Sequence, residues 1–340
     1  MKMLKNKNIL VAAIICLCLS NGNTVFGKNF GVVLSKIPNS NQAALPQNKN
    51  AVANFERGAN LQTQGDLKGA EAAFRKAIEL EPKFIQAYIA LGNTLDDQGK
   101  LQEAIAQYNK AISLDPKYPQ AHFHLGNALY DQGKLQEAIA QYNQAISFHP
   151  KYADAHYYLG NALYAQGKPT EAVAEYTAAI AFNPKNSAAY NALGNALYAQ
   201  GQLEEAIAQY KKAISFAPKY ADAHYNLASA LYAQGKPTEA IAEYTQAIRL
   251  DPKHAQAYTG LANAMDDQGK PQEAIAHYKK AISLVPNDAY AYYNLGVTLG
   301  RQGQLEEAIF NFKKARELFQ AEENKEMLEQ VDQLIQKLTQ

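Results

Sequence analysis

Residues 119–152 read PQAHFHLGNALYDQGKLQEAIAQYNQAISFHPKY, and the chain is built almost entirely from copies of this stretch. Sliding the sequence along itself by 34 residues lays Pro82, Pro116, Pro150, Pro184, Pro218, Pro252 and Pro286 on one another without insertion or deletion. A period this regular marks a tandem array, and function must follow from stacking. Within the unit, Ala121, Leu125, Ala128 and Leu129 recur at helical spacing, and Gly133 stands where a left-handed residue closes a helix. A second apolar series, Leu135, Ala138, Ile139, Tyr142, Ala145, Ile146 and Phe148, stops short of Pro150, whose ring disfavours helix in the residue before it. Each unit is therefore predicted to be a helical hairpin.

Small residues recur where two helices must approach. The eighth position holds Gly58, Gly92, Gly126, Gly160, Gly194, Ala228, Ala262 and Gly296, and the twentieth is alanine from Ala70 to Ala308. With the Leu-Gly pairs, the aromatic four residues beyond that alanine (Tyr108, Tyr142, Tyr176, Tyr210) and the closing prolines, this pattern resembles the tetratricopeptide repeat (TPR) family. The resemblance implies an all-α fold, a right-handed α-solenoid or superhelix of eight helix-turn-helix hairpins. The copies are residues 51–84, 85–118, 119–152, 153–186, 187–220, 221–254, 255–288 and 289–322. The family's tryptophan position is held here by Tyr88, His122, His156, Tyr190, His224, Tyr258 and Tyr292, with Asn54 in the first copy. Gln320 replaces the last expected proline.

Outside the array, residues 1–27 carry Lys2, Lys5 and Lys7 ahead of an apolar run from Ile9 to Leu19, the layout of a signal peptide. That run falls short of the roughly 20 residues a spanning helix needs. The expectation is an exported protein, periplasmic or secreted, whose membrane contact is confined to the signal. Cys16 and Cys18 both lie in that segment, so its removal leaves no thiol and shifts the net charge from +1 to −2. Nucleic acid is then excluded as a partner on electrostatic grounds. Residues 28–50, rich in Asn, Gln and Ser, read as a flexible linker. Pro169, Pro237 and Pro271 follow the turn glycine and mark helix starts. After the last copy, Met327, Leu328, Val331, Leu334, Ile335 and Leu338 form an apolar stripe, so residues 323–340 are expected to be a capping helix, either separate from or continuous with the helix before it.

No motif of a hydrolase, nucleotide-binding loop, zinc protease or calcium loop occurs, so an enzyme, a cofactor and a metal site are not expected. His122, His156 and His224 are assigned to packing, and His149, His254 and His277 to solvated surface. The resemblance further implies that positions 2, 5, 9, 12 and 13 of each copy line a concave groove. Those positions supply Asn93, Asn127, Asn161, Asn195 and Asn263, then Tyr130, Tyr164, Tyr198 and Tyr232, then Phe123, Tyr157 and Tyr225. Amides that both donate and accept can pair with an extended backbone of any sequence, and tyrosines add apolar area with a polar tip. Asp96, Asp97, Asp131, Asp154, Asp222, Asp266 and Asp267 share that side against a single Arg301, which disfavours an acidic ligand. The reading is a non-enzymatic scaffold for an extended, neutral or basic peptide segment of a protein partner. The alternative is a binding subunit or targeting arm of an enzyme complex, such as a glycosyltransferase, with catalysis on another chain; self-association through the end repeats stays open.

Overall fold

The computed structural model describes residues 46–339. The signal peptide and most of the linker expected from the sequence lie outside the described residues. Among those described, every regular element is an α-helix, and the chain divides into two compact units, one running to Pro184 and one from Lys185.

The first unit holds four hairpins: α1 (Lys49–Thr63) with α2 (Leu67–Leu80), α3 (Ile85–Asp97) with α4 (Leu101–Leu114), α5 (Pro119–Asp131) with α6 (Leu135–Phe148), and α7 (Ala153–Ala165) with α8 (Pro169–Phe182). The second holds α9 (Ser187–Ala199) with α10 (Leu203–Phe216), α11 (Ala221–Ala233) with α12 (Pro237–Leu250), α13 (Ala255–Asp267) with α14 (Pro271–Leu284), α15 (Ala289–Arg301) with α16 (Leu305–Ala321), and then α17 (Lys325–Thr339). Each unit is thus an α-solenoid segment. Helix α1 begins two residues ahead of the expected repeat boundary because Asn48 caps it, accepting from the amides of Asn50 and Ala51. The Asn48 amide also donates to the carbonyl of Leu80, tying the start of the array to the end of its first hairpin.

The turn that closes α5 shows why a hairpin forms. Gly133 sits at φ 73°, its N–H donates to Tyr130 at 2.8 Å, and the N–H of Lys134 donates to Leu129 at 2.9 Å. This double closure satisfies the last carbonyls and requires a left-handed residue. At the other end, His149 leaves the helical region at φ −137° and ψ 83° ahead of Pro150, so α6 stops. Pro169, Pro237 and Pro271 occupy the first turn of their helices, as expected.

The small residue at the eighth position seats a ring. A Cβ on Gly126 would stand 2.7 Å from Cε1 of Tyr142, so that fully buried ring lies directly on bare backbone. Repeat six carries Ala228 there, and Tyr244 instead lies against Gly260 of the following repeat, where a Cβ would come within 2.5 Å of the ring. The alanines one turn before these rings on the same helices, Ala138 and Ala172 among them, are wholly buried. Ala172→Leu is accordingly expected to overfill the α7–α8 interface and cost about 1–3 kcal/mol. Denaturant unfolding measures it, and an unchanged midpoint would contradict the packing described.

Without a proline at 320, α16 continues to Ala321, three residues longer than the second helices before it. Glu323, at φ 56°, then reverses the chain, so α17 is a separate helix. It covers the last hairpin with Met327 and Val331 buried and Arg316 bound to Asp332 at 2.6 Å.

Candidate functional site

Within each unit, consecutive first helices touch: α1 with α3, α3 with α5 and α5 with α7, and then α9 with α11, α11 with α13 and α13 with α15. Their shared face carries the row of asparagines. Each amide is held by the aromatic of its own hairpin. Tyr108 donates to Asn93 at 2.7 Å, Tyr142 to Asn127 at 2.8 Å and Tyr176 to Asn161 at 2.9 Å in the first unit. In the second, Tyr210 donates to Asn195 at 2.9 Å and Tyr278 to Asn263 at 2.6 Å. Burial holds the Tyr142 phenol far above its ordinary range, so the hydroxyl keeps the proton that it donates.

This corrects the expectation that the amides stand free as donors and acceptors. The Oδ1 atoms are taken by the protein's own phenols, and the side chains present N–H groups. The Nδ2 of Asn93 is buried with no partner. Repeat six departs in a coordinated way: Ser229 replaces Asn and meets the displaced Tyr244 hydroxyl at 3.1 Å. The anchoring tyrosines were not singled out as site residues from the sequence, although the fifteen-residue spacing from Asn127 to Tyr142 recurs in five copies.

Tyr130, Tyr164 and Tyr198 are half-buried on the same face, one helical turn beyond their asparagines. Tyr232, also half-buried, spends its hydroxyl on Asp267. Tyr157 lies edge-on to Tyr158, and Tyr225 packs on Tyr244 and His254. Phe123 does not offer a surface. It is 7% exposed and sits among Tyr142, Tyr152 and Tyr158 with centroids 5.1–6.2 Å away, because bulky aromatics at its neighbours close over it.

The acidic groups fall into two states. A side chain at position 12 reaches position 13 of the next repeat, 35 residues on, as Gln62 does in donating to Asp97 at 3.1 Å. In the second unit this contact neutralises charge: Arg301 pairs with Asp266, which also accepts from Thr298 at 2.8 Å. In the first unit the same step sets Asp96 against Asp131. Burial and then the charges of Asp131 and Asp97 push the Asp96 carboxyl up to about 6. Burial likewise raises Asp97 and Asp131.

Tetratricopeptide-repeat sequence models match residues 49–84, 73–106 and 92–133, and the model described as the Cilia and flagella-associated protein 70 C-terminal domain matches residues 116–332, more than half of the chain. The chain belongs to the tetratricopeptide repeat family. Among curated proteins, none matches. A solved tetratricopeptide repeat protein from Parabacteroides merdae is 22% identical, with a TM-score of 0.56 over 74% of this chain and 99% of that one. The Cut9–Hcn1 assembly of the APC/C gives a TM-score of 0.62 at 19% identity over 86% of this chain and 57% of that one. YrrB, described as a TPR protein with an unusual peptide-binding site, is 29% identical over 54% of this chain and 95% of that one, with a TM-score of 0.47. The first two likenesses bear on the fold alone.

Where tetratricopeptide repeats carry tryptophan, the three histidines are packed, with both ring nitrogens of each within hydrogen-bond distance of a partner. His122 meets Gln141 at 2.8 Å and the Pro116 carbonyl at 2.9 Å, and His156 and His224 repeat the arrangement. The expectation of solvated surface fails at His254, which is 8% exposed and accepts from the Ala257 amide as a helix cap. His149 and His277 are half-buried, and burial lowers both imidazoles. His124, stacked on Tyr108 at 5.8 Å, is pushed down to about 4 by burial. Among the described residues no group of three or more His, Cys, Asp or Glu is placed to hold a metal ion, and no helix is long and apolar enough to cross a membrane.

Proposed function

We propose that this repeat protein is a scaffold that holds an extended, neutral or basic polypeptide segment along the first-helix face of a repeat unit. What carries the reading is the phenol-to-amide lock. With the carbonyl oxygens consumed, Asn127 and Asn161 in one unit and Asn195 and Asn263 in the other keep their N–H groups as donors, which suit the backbone carbonyls of an extended chain, whereas the Asn93 N–H is buried beneath the face. Tyr130, Tyr157, Tyr164, Tyr198, Tyr225 and Tyr232 supply apolar area beside them.

Charge sets the preference for basic segments. Asp96, Asp97 and Asp131 share the face in the first unit without a cation among their described partners, whereas the second unit satisfies Asp266 internally with Arg301. The guanidinium of Arg301, held at that repeat step in one unit, supports this reading. A Lys or Arg of the ligand would take the equivalent place in the other.

Replacing Asn127 and Asn161 together by alanine removes two donors while keeping the helices. Affinity for a bound segment is expected to fall by about tenfold or more, at about 1–1.5 kcal/mol per lost hydrogen bond. Calorimetric titration reads this, and equal affinity in the double variant would remove the asparagine row from the site.

A further inference from the structure

His156 is the part of this molecule whose contacts ask most of a proton. The residue lies on α7 at 9% exposure. Its Nδ1 stands 2.7 Å from Oε2 of Glu175 on α8, and its Nε2 stands 3.0 Å from the carbonyl of Pro150 in the turn that closes α6. Both neighbours are acceptors. A neutral imidazole has one N–H and can serve only one of them, leaving lone pair against lone pair at the other, whereas an imidazolium serves both. The Phe182 ring of α8 packs against the imidazole with centroids 5.5 Å apart, and neither α5 nor α6 contributes a charged partner to the ring.

The array supplies its own control. In repeat three the equivalent residue is His122, and its partner Gln141 can turn its amide to offer either a donor or an acceptor, so no charge is demanded there. In repeat two the position is Tyr88, whose hydroxyl donates to Pro82 at 3.2 Å without a proton that titrates near neutrality. Repeat six restores the His–Glu geometry, with His224 2.6 Å from Glu243 and 3.1 Å from the Pro218 carbonyl.

We propose that His156 and Glu175 form a pH-responsive clasp between α7 and α8, closed when the imidazole is positively charged and half-released when it is neutral. The hydrogen bond to Glu175, outweighing the opposing effect of burial, raises the imidazole above its ordinary value. A folded-state value raised above the unfolded one, about 6.5, stabilises fully below that unfolded value. The contribution is lost as pH rises through the folded value. Helix α7 carries Tyr157, Asn161 and Tyr164, so acidification steadies one stretch of the first-helix face. The clasp stands whether or not that face binds a peptide.

The test uses the full chain and two substitutions the array already contains in other copies: Glu175→Gln, as in repeat three, and His156→Tyr, as in repeat two. Nitrogen-15 NMR of the His156 ring is expected to give a midpoint above about 6.5 that moves down in Glu175→Gln. The loss of melting temperature in His156→Tyr is expected to be larger at about pH 5.5 than at about pH 8.5. A His156 midpoint at or below 6.5, one unmoved by Glu175→Gln, or an equal His156→Tyr penalty at both pH values would overturn the proposal. Should His156→Tyr fail to fold, the Glu175→Gln titration decides alone.

Discussion

Tyr142→Ala is expected to destabilise the first unit by about 3–5 kcal/mol, the range for removing a large buried aromatic. The ring is fully buried, it rests on the backbone at Gly126, and its hydroxyl is the partner of Asn127. Deleting it removes apolar burial, opens a cavity that helices on both sides hold open, and strips the amide of its anchor. Tyr142→Phe separates these effects. The ring and its seat survive, so the loss should be about 1 kcal/mol, that of one hydrogen bond. Asn127 is then free to turn its carbonyl outward, and ligand affinity should drop although the helix stays in place. Urea unfolding of the two variants measures both losses. An alanine variant as stable as the parent would mean that Gly126 and Tyr142 do not meet as described.

The second large effect is expected from Asp96→Asn combined with Asp131→Asn. If the first-helix face takes a basic segment at this step, the double variant should bind it about tenfold or more weakly, a change of about 1.4 kcal/mol or more. Stability should move the other way, because the substitutions relieve two carboxylates that confront one another in a partly buried site. The pH dependence follows with a definite sign. Asp96 titrates at about 6 in the folded chain against about 3.9 unfolded, so the native state holds the proton more tightly between those values. The repulsion is present above pH 6 and is relieved as pH falls through that value, while a cationic ligand loses its carboxylate partner over the same window. Binding of a lysine-containing peptide should therefore weaken on acidification in the parent and weaken less in the double variant, which keeps Asp97. Affinities equal in parent and variant would detach the acidic pair from recognition.

The hairpin, its register and its turns were legible in the sequence because each rests on a local demand. Gly133 is required by a left-handed closure, Pro150 by a stop, and Ala138 and Gly126 by close approach. These repeat every 34 residues and need no tertiary knowledge. The asparagine row was also legible, yet its chemistry was not. Whether an amide is free depends on what rises beneath it from the second helix, and the fifteen-residue link from Asn127 to Tyr142 joins residues that periodicity alone assigns to separate faces. Phe123 was placed on the surface by position, but Tyr152 and Tyr158, at other positions, close over it. The unequal state of the acidic groups has the same origin. Asp96 and Asp266 share a repeat position, and only the residue 35 places on, Asp131 in one case and Arg301 in the other, decides which stays uncompensated.

The most direct measurement follows the side-chain amide signals of Asn127 and Asn161 by NMR while extended peptides of positive, zero and negative net charge are added to the full chain. Positive and neutral peptides should shift these amides, the positive ones at lower concentration, and Asp96→Asn with Asp131→Asn should narrow the difference between them. Acidic peptides that bind as tightly as basic ones, or shifts confined to the second helices while these amides stay still, would contradict the account.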